Sequence, residues 1–190
     1  MNNSPTIIFS STYFVWCMSE IILNRLLRTK TTDRQNTDKG TLSMIWITIL
    51  SSITLSIYIS AAYEFRISEN LLIRYLGLII IYLGVILRFL VVRSLGKYFT
   101  VSVTIRQDHQ LKKDGFYKYL RHPSYFASLL SFFGFGFTLN NWFSVTLLTT
   151  AIFLVFTIRI RVEEQVLIGQ FGEEYKEYQR STWRIIPFLY

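Results

Sequence analysis

The chain has 190 residues, 51% of them hydrophobic and 17% aromatic, with a formal net charge of +8. That apolar share exceeds what a soluble domain of this length carries, so the expected class is an integral membrane protein folded as one unit, residues 1–190. The charge does not point to nucleic acid, because Lys and Arg fall between and beside apolar stretches, where membrane orientation accounts for them. Cys17 is the only cysteine, which excludes an intramolecular disulfide and, with only two histidines, makes a metal site an unexpected one.

A spanning helix needs about 20 mainly apolar residues, and the first candidate runs from Ile7 to Leu27, carrying Glu20. It follows Asn2, Asn3 and Ser4 without a basic residue or a small-residue cleavage site, so it is expected to be a retained span. The second, Thr41 to Ala62, is uncharged. The third, Leu71 to Val92, has Arg74 and Arg88 near its ends, where such side chains are expected to snorkel toward water. The fourth and fifth, Pro123 to Leu139 and Trp142 to Ile160, are separated only by Asn140 and Asn141, which predicts an antiparallel helical hairpin. Pro123 suits a first helical turn. Ser124 with Ser128 and Ala127 with Ser131 form small-residue pairs that let helices approach closely in a bilayer.

The fold class predicted is therefore all-α, with five transmembrane helices. Residues 1–93 supply three N-terminal spans and 94–190 the half that carries chemistry. Lys and Arg crowd three regions: 25–39, 93–121 and the tail after Arg159. Tyr63 to Asn70 holds Arg66 alone, and Asn140-Asn141 carries no charge. This asymmetry predicts an N-terminus outside and a C-terminus inside. Ser94 to Leu120 reads as a long cytoplasmic connection. Glu163 to Arg180 has apolar residues at three- and four-residue intervals and predicts a helix along the interface, with Gly172 as a break.

Chemistry-capable residues collect at the cytoplasmic edge. Arg159 and Glu163 share a helix face, as a local salt bridge or as part of a site. Arg121-His122-Pro123-Ser124-Tyr125 places a cation, an imidazole, a hydroxyl and a phenol at a helix start, where exposed N–H groups favour a negative ligand; an interfacial anchor is the plainer alternative. No nucleotide-binding glycine loop, nucleophile elbow or zinc-protease motif is present, and Gly134 and Gly136 lie inside an apolar span.

His109-Gln110-Leu111, Asp114-Gly115-Phe116-Tyr117, Arg121-His122-Pro123-Ser124-Tyr125, Arg159 with Glu163-Glu164, and Phe171-Gly172-Glu173-Glu174-Tyr175 resemble, in order and spacing, the isoprenylcysteine carboxyl methyltransferase family. The match covers roughly residues 94–188; phospholipid N-methyltransferases and, more distantly, membrane sterol reductases share parts of it. The resemblance implies an enzyme that binds S-adenosyl-L-methionine from the cytoplasm and methylates a lipophilic acceptor from the bilayer. That acceptor would be an isoprenylcysteine-type carboxylate or a lipid hydroxyl. It also implies cofactor contacts from His109, Gln110, Leu111, Lys112, Tyr117, His122, Pro123, Ser124, Tyr125 and Glu163, with Arg159 on the substrate. Lys112 departs from the small apolar residue usual in the family, so its backbone is the expected contact. Methyl transfer is a displacement, so such a site chiefly aligns donor and acceptor and excludes water. A carboxylate acceptor needs no base, whereas a phenol or enol would pass its proton to Glu163 or a loop tyrosine. Alternatives are a headgroup-amine or small-thiol methyltransferase, a lipid double-bond reductase using a nicotinamide cofactor, and a non-enzymatic membrane scaffold.

Overall fold

The computed structural model describes residues 4–26, 40–95 and 111–190 of the chain. Six helices account for most of them: α1 (Ser4–Leu26), α2 (Thr41–Ala62), α3 (Leu72–Leu95), α4 (Pro123–Thr138), α5 (Trp142–Phe171) and α6 (Glu173–Ser181), with a short 3-10 helix at Gly115–Lys118. α2, α3 and α5 are each long and apolar enough to cross a membrane. Their outward faces carry large apolar side chains such as Ile47, Leu50, Leu83, Ile86 and Leu154, as expected of helices whose solvent is hydrocarbon. The protein is thus an all-helical integral membrane protein.

α3 packs on α4, α2 on α5, and α4 on α5, with α1 leaning on α3. The α3–α4 seam is set by glycine. A Cβ at Gly84 would stand 2.8 Å from the Ala127 carbonyl oxygen and 2.8 Å from the Ser131 nitrogen, and one at Gly134 would stand 2.8 Å from the Gly77 carbonyl oxygen. The small residues of α4 therefore admit the backbone of α3, which is how helices associate when burial from water gives no gain. Beside the seam, Trp16 meets Phe132 edge to face at 5.0 Å and Phe135 in a tilted contact at 5.6 Å, within a core that continues through Ile81, Leu148, Ile152 and Phe156.

The two short connections close one end of the bundle. Asn140, at φ 53, turns the chain from α4 into α5, and its side-chain amide donates to the Ser68 carbonyl at 2.8 Å while its oxygen accepts from the Ser68 N–H at 3.1 Å. Asn141 caps α5 through the Ser144 N–H and donates to the Tyr63 carbonyl at 2.7 Å. α1 begins at this same end, where Phe9 lies against Tyr75 and under the Arg74 guanidinium.

Two arginines do not behave as predicted. Arg88 does not snorkel: it pairs with Glu20 at 3.1 Å and donates to the Ser124 carbonyl and the Ser128 hydroxyl. A guanidinium at this depth needs a counter-charge and acceptors, and α1 and α4 supply both. Arg74 donates to the Thr138 carbonyl at 2.9 Å, satisfying a helix-end acceptor instead of reaching for water. The C-terminal helix also differs. Residues 163–171 continue α5 without interruption; only α6, after the break at Gly172 (φ 55), is separate. Helical periodicity across 160–163 is unbroken, so α5 runs to the first residue conformation a non-glycine side chain resists.

Candidate functional site

At the end of the bundle opposite the asparagine turns, α2 starts, α4 starts and α5 leaves its apolar stretch, so three helix ends converge. Arg159 is fully buried there. Its Nε donates to Glu163 Oε1 at 3.1 Å, one turn on, and its Nη1 to the Thr41 hydroxyl at the start of α2. Glu163 Oε1 also accepts from the Tyr125 hydroxyl at 2.5 Å, a charge-assisted bond. Tyr125 is held edge to face on Phe156 of α5, centroids 4.9 Å apart. Glu163 Oε2 faces His122 Nδ1 at 3.6 Å. One carboxylate therefore links α2, through Arg159, to the start of α4.

His122 is the N-cap of α4, and Pro123 occupies the first turn. The Nε2 of His122 lies 3.4 Å from Glu164 Oε1, a longer contact than those Glu164 makes with the two arginines. Glu164 is committed elsewhere: Oε1 accepts from Arg121 Nε at 2.8 Å and Oε2 from Arg184 at 2.9 Å. Arg121 also donates to the carbonyls of Gln179 and Thr182, tying α6 to the motif. The chain after α6 then runs beside the motif as a parallel ribbon. Trp183 N–H donates to the Tyr119 carbonyl at 3.0 Å, Arg121 N–H to the Trp183 carbonyl at 2.9 Å, and His122 N–H to the Arg184 carbonyl at 3.0 Å.

The 111–120 segment lies on α6. Tyr117 is buried, its carbonyl accepting the Tyr178 hydroxyl at 2.5 Å. Burial, with the neighbouring Tyr178 and Glu163, pushes the Tyr117 phenol well above its ordinary range. Burial raises Tyr175 and Tyr178 likewise, so all three stay protonated donors near neutral pH. The Tyr175 hydroxyl is buried and makes no hydrogen bond within the protein. Lys112 pairs with Asp114 at 3.0 Å.

Of the residues singled out in sequence, Tyr117, His122, Pro123, Ser124, Tyr125, Arg159 and Glu163 come to one end of the bundle, with Leu111 and Lys112 on the segment leading into Tyr117. His109 and Gln110 lie outside the described residues. Sequence reasoning missed Thr41, Tyr178 and Arg184. Thr41 and Arg184 carry no local signal, because what matters is the partner reached across the fold. Tyr178 could have been found from its place with Tyr175 on one face of a short amphipathic helix.

The fold and the site define a polytopic helical membrane protein with a polar, carboxylate-centred site where helix ends meet. The model of the isoprenylcysteine carboxyl methyltransferase family matches residues 76–169. A protein-S-isoprenylcysteine O-methyltransferase of Dictyostelium discoideum is 36% identical over 118 residues, covering 61% of this chain and 50% of the relative. A probable protein-S-isoprenylcysteine O-methyltransferase of Oryza sativa is 32% identical over 126 residues, 65% of this chain and 66% of the relative. The solved eukaryotic intramembrane Ras methyltransferase of this family superposes with a TM-score of 0.62 at 26% identity, over 80% of this chain and 53% of that one. The chain belongs to the isoprenylcysteine carboxyl methyltransferase family, although it spans only about half the length of several of the relatives it matches.

Proposed function

We propose that the protein is an S-adenosyl-L-methionine-dependent methyltransferase acting on a lipophilic acceptor, an isoprenylcysteine-type carboxylate or a lipid hydroxyl. The observation that carries this is the convergence of Arg159, Tyr125 and His122 on the Glu163 carboxylate, where helix ends meet, in a chain of this family.

The residues present fit the donor. The buried Tyr175 hydroxyl makes no hydrogen bond within the protein and His122 Nε2 meets only Glu164 Oε1, at 3.4 Å, which leaves polar capacity at the site for a ligand. His109 to Lys112, Tyr117, His122 to Tyr125 and Glu163 would hold it, Lys112 through its backbone. When bound, it supplies an electrophilic methyl on a sulfonium. Glu163 offers negative charge to that cationic ligand, and Tyr125 and Arg159 fix the carboxylate's direction. Arg159 would orient a carboxylate acceptor by a charge-assisted pair, which needs no proton transfer. For a hydroxyl acceptor, Glu163 is the proton acceptor within reach.

The topology behind this reading has five spans, the N-terminus outside, and the site and C-terminus cytoplasmic. It is supported by the basic residues of the 93–121 and 159–184 regions and by the uncharged Asn140-Asn141 turn at the far end. The lipophilic acceptor would enter from the bilayer.

The test is calorimetry of the full chain in nanodiscs with S-adenosyl-L-methionine, followed by methyl transfer from labelled donor to a farnesylated cysteine and to a membrane lipid extract. Binding is expected, and Arg159→Ala or Glu163→Ala should lower transfer by at least about a hundredfold while the protein remains folded. Absence of binding by folded protein refutes the proposal. Protection from thermal unfolding by NADPH instead would favour the reductase, and unaltered ligand response in both variants the scaffold.

A further inference from the structure

No residue of the Phe171-to-Tyr175 motif is among the expected contacts to the methyl donor, yet the last of them ends inside the polar site. Gly172, at φ 55, turns the chain out of α5. α6 then lays one face on the 111–121 segment. Tyr175, Tyr178, Gln179 and Thr182 follow one another at helical spacing and so share that face. Most of its polar atoms are taken. The Tyr178 hydroxyl donates to the Tyr117 carbonyl at 2.5 Å, and the carbonyls of Gln179 and Thr182 accept from Arg121. Tyr175 is the exception. It is 1% exposed, and its hydroxyl makes no hydrogen bond within the protein.

Packing does not explain that hydroxyl. The Tyr175 ring meets Tyr178 edge to face with centroids 5.9 Å apart, a contact phenylalanine would make equally well. Leaving a buried hydroxyl unbonded is a standing cost to the free protein. Its electrostatic surroundings are those of the site: the charges of Glu164, Arg121 and Glu163 all act on the phenol. Glu163 is the carboxylate on which Arg159, Tyr125 and His122 converge, and Glu164 is the one facing His122 Nε2. Burial and these two carboxylates keep the phenol protonated near neutral pH, so it is a donor in want of an acceptor. The group is also held in place in advance. Arg121 fixes the far end of α6, and Tyr178 joins its face to Tyr117. Little ordering would then be required of Tyr175 when a ligand arrives.

We propose that Tyr175 is a further binding residue for the methyl donor, its hydroxyl donating a hydrogen bond to an acceptor atom of S-adenosyl-L-methionine from the α6 side of the site. The inference rests on the proposed function and gives α6 a part in it. It has a signature that a packing role lacks. The cost of the unbonded hydroxyl is borne by the free protein and recovered in the complex, so removing the hydroxyl should weaken binding without weakening the fold.

The test compares the full chain with Tyr175→Phe in nanodiscs, by calorimetry with S-adenosyl-L-methionine and by thermal unfolding with and without it. Tyr178→Phe, which gives up the bond to the Tyr117 carbonyl, is the structural reference. Tyr175→Phe should weaken affinity about tenfold, as loss of one hydrogen bond to the ligand implies. Its ligand-free form should melt no lower than wild type, because no bond within the protein is lost. Tyr178→Phe should lower the ligand-free melting temperature by roughly 2–4 °C. Unchanged affinity in Tyr175→Phe overturns the proposal and leaves the residue a packing role. Weaker affinity together with a ligand-free melting temperature lowered as in Tyr178→Phe also overturns it, because the hydroxyl then serves the fold. Failure of the folded wild-type chain to bind the donor refutes the proposed function and this inference with it, and is told apart by appearing before any substitution is made.

Discussion

Glu164 is bound by two arginines, Arg121 and Arg184, and Glu164→Gln tests whether it holds the motif to the tail. Its side chain is 5% exposed, with Arg121 at 2.8 Å and Arg184 at 2.9 Å, themselves 8% and 25% exposed. The substitution removes one negative charge, keeps one acceptor oxygen, and leaves two guanidiniums close together without a counter-ion. Breaking a buried ion pair by removing one partner costs roughly 3–5 kcal/mol, and the retained oxygen places this change near the lower end. At roughly 2–4 °C per kcal/mol for a chain of this size, apparent Tm in detergent should fall by about 10 °C. Glu174→Gln is the matched control. Its carboxylate bonds Lys113 at 2.8 Å with both side chains about half exposed, an arrangement worth at most about 1 kcal/mol. Combining Glu164→Gln with Arg184→Met should cost less than the sum of the single changes, because the second relieves the repulsion left by the first. A Glu164→Gln protein melting within about 2 °C of wild type would refute the argument that this carboxylate joins the motif to the tail.

Gly84→Val should prevent α3 from seating on α4, since even a Cβ meets the Ala127 carbonyl at 2.8 Å; a loss of about 3 kcal/mol or non-folding is expected, read as apparent Tm and size-exclusion profile. Tyr125→Phe removes the 2.5 Å bond to Glu163 and leaves the ring on Phe156. S-adenosyl-L-methionine affinity should weaken about tenfold and apparent Tm should fall by about 5 °C, as loss of one hydrogen bond to a charged group implies, measured by calorimetry and thermal unfolding. Tyr117, Tyr175 and Tyr178 have folded pKa values raised above the unfolded value, chiefly by burial. Their stabilisation is therefore complete below pH of about 10 and is lost as pH rises beyond it. Phenolate absorbance of these three should appear together with alkaline unfolding, and appearance at pH 10 in still-folded protein would contradict their burial.

What was legible in the sequence is what depends on neighbours along the chain. α2 matches its predicted limits, and the Asn140-Asn141 hairpin follows from length and turn chemistry. The Arg159–Glu163 pair follows from four-residue spacing. Arg74 and Arg88 were misjudged because snorkelling is a property of an isolated helix. In the bundle, Glu20 on α1 and Ser124 and Ser128 on α4 offer Arg88 partners that periodicity cannot show. The helix through Glu163 was cut short because charge marks a change of solvent, and a change of solvent does not end a helix. Arg184 was invisible for a similar reason: nothing nearby in sequence announces that it meets Glu164.

The doublet Glu163-Glu164 shows how a helix divides one kind of residue between two tasks. Adjacent positions on an α-helix point about 100° apart. Glu163 therefore faces Arg159, Tyr125 and His122 Nδ1, while Glu164 faces Arg121, Arg184 and His122 Nε2. The imidazole stands between the two carboxylates and sits at the start of α4, whose backbone is pinned by the tail ribbon. A movement of the tail must then act on His122 from both sides: through its N–H, which bonds the Arg184 carbonyl, and through Glu164, which Arg184 holds. Glu163, rooted on the same helix turn, would stay where Arg159 and Thr41 fix it. The separation between His122 and Glu163 is thus set from two sides, by the tail ribbon at the His122 N–H and by Arg159 at the Glu163 carboxylate.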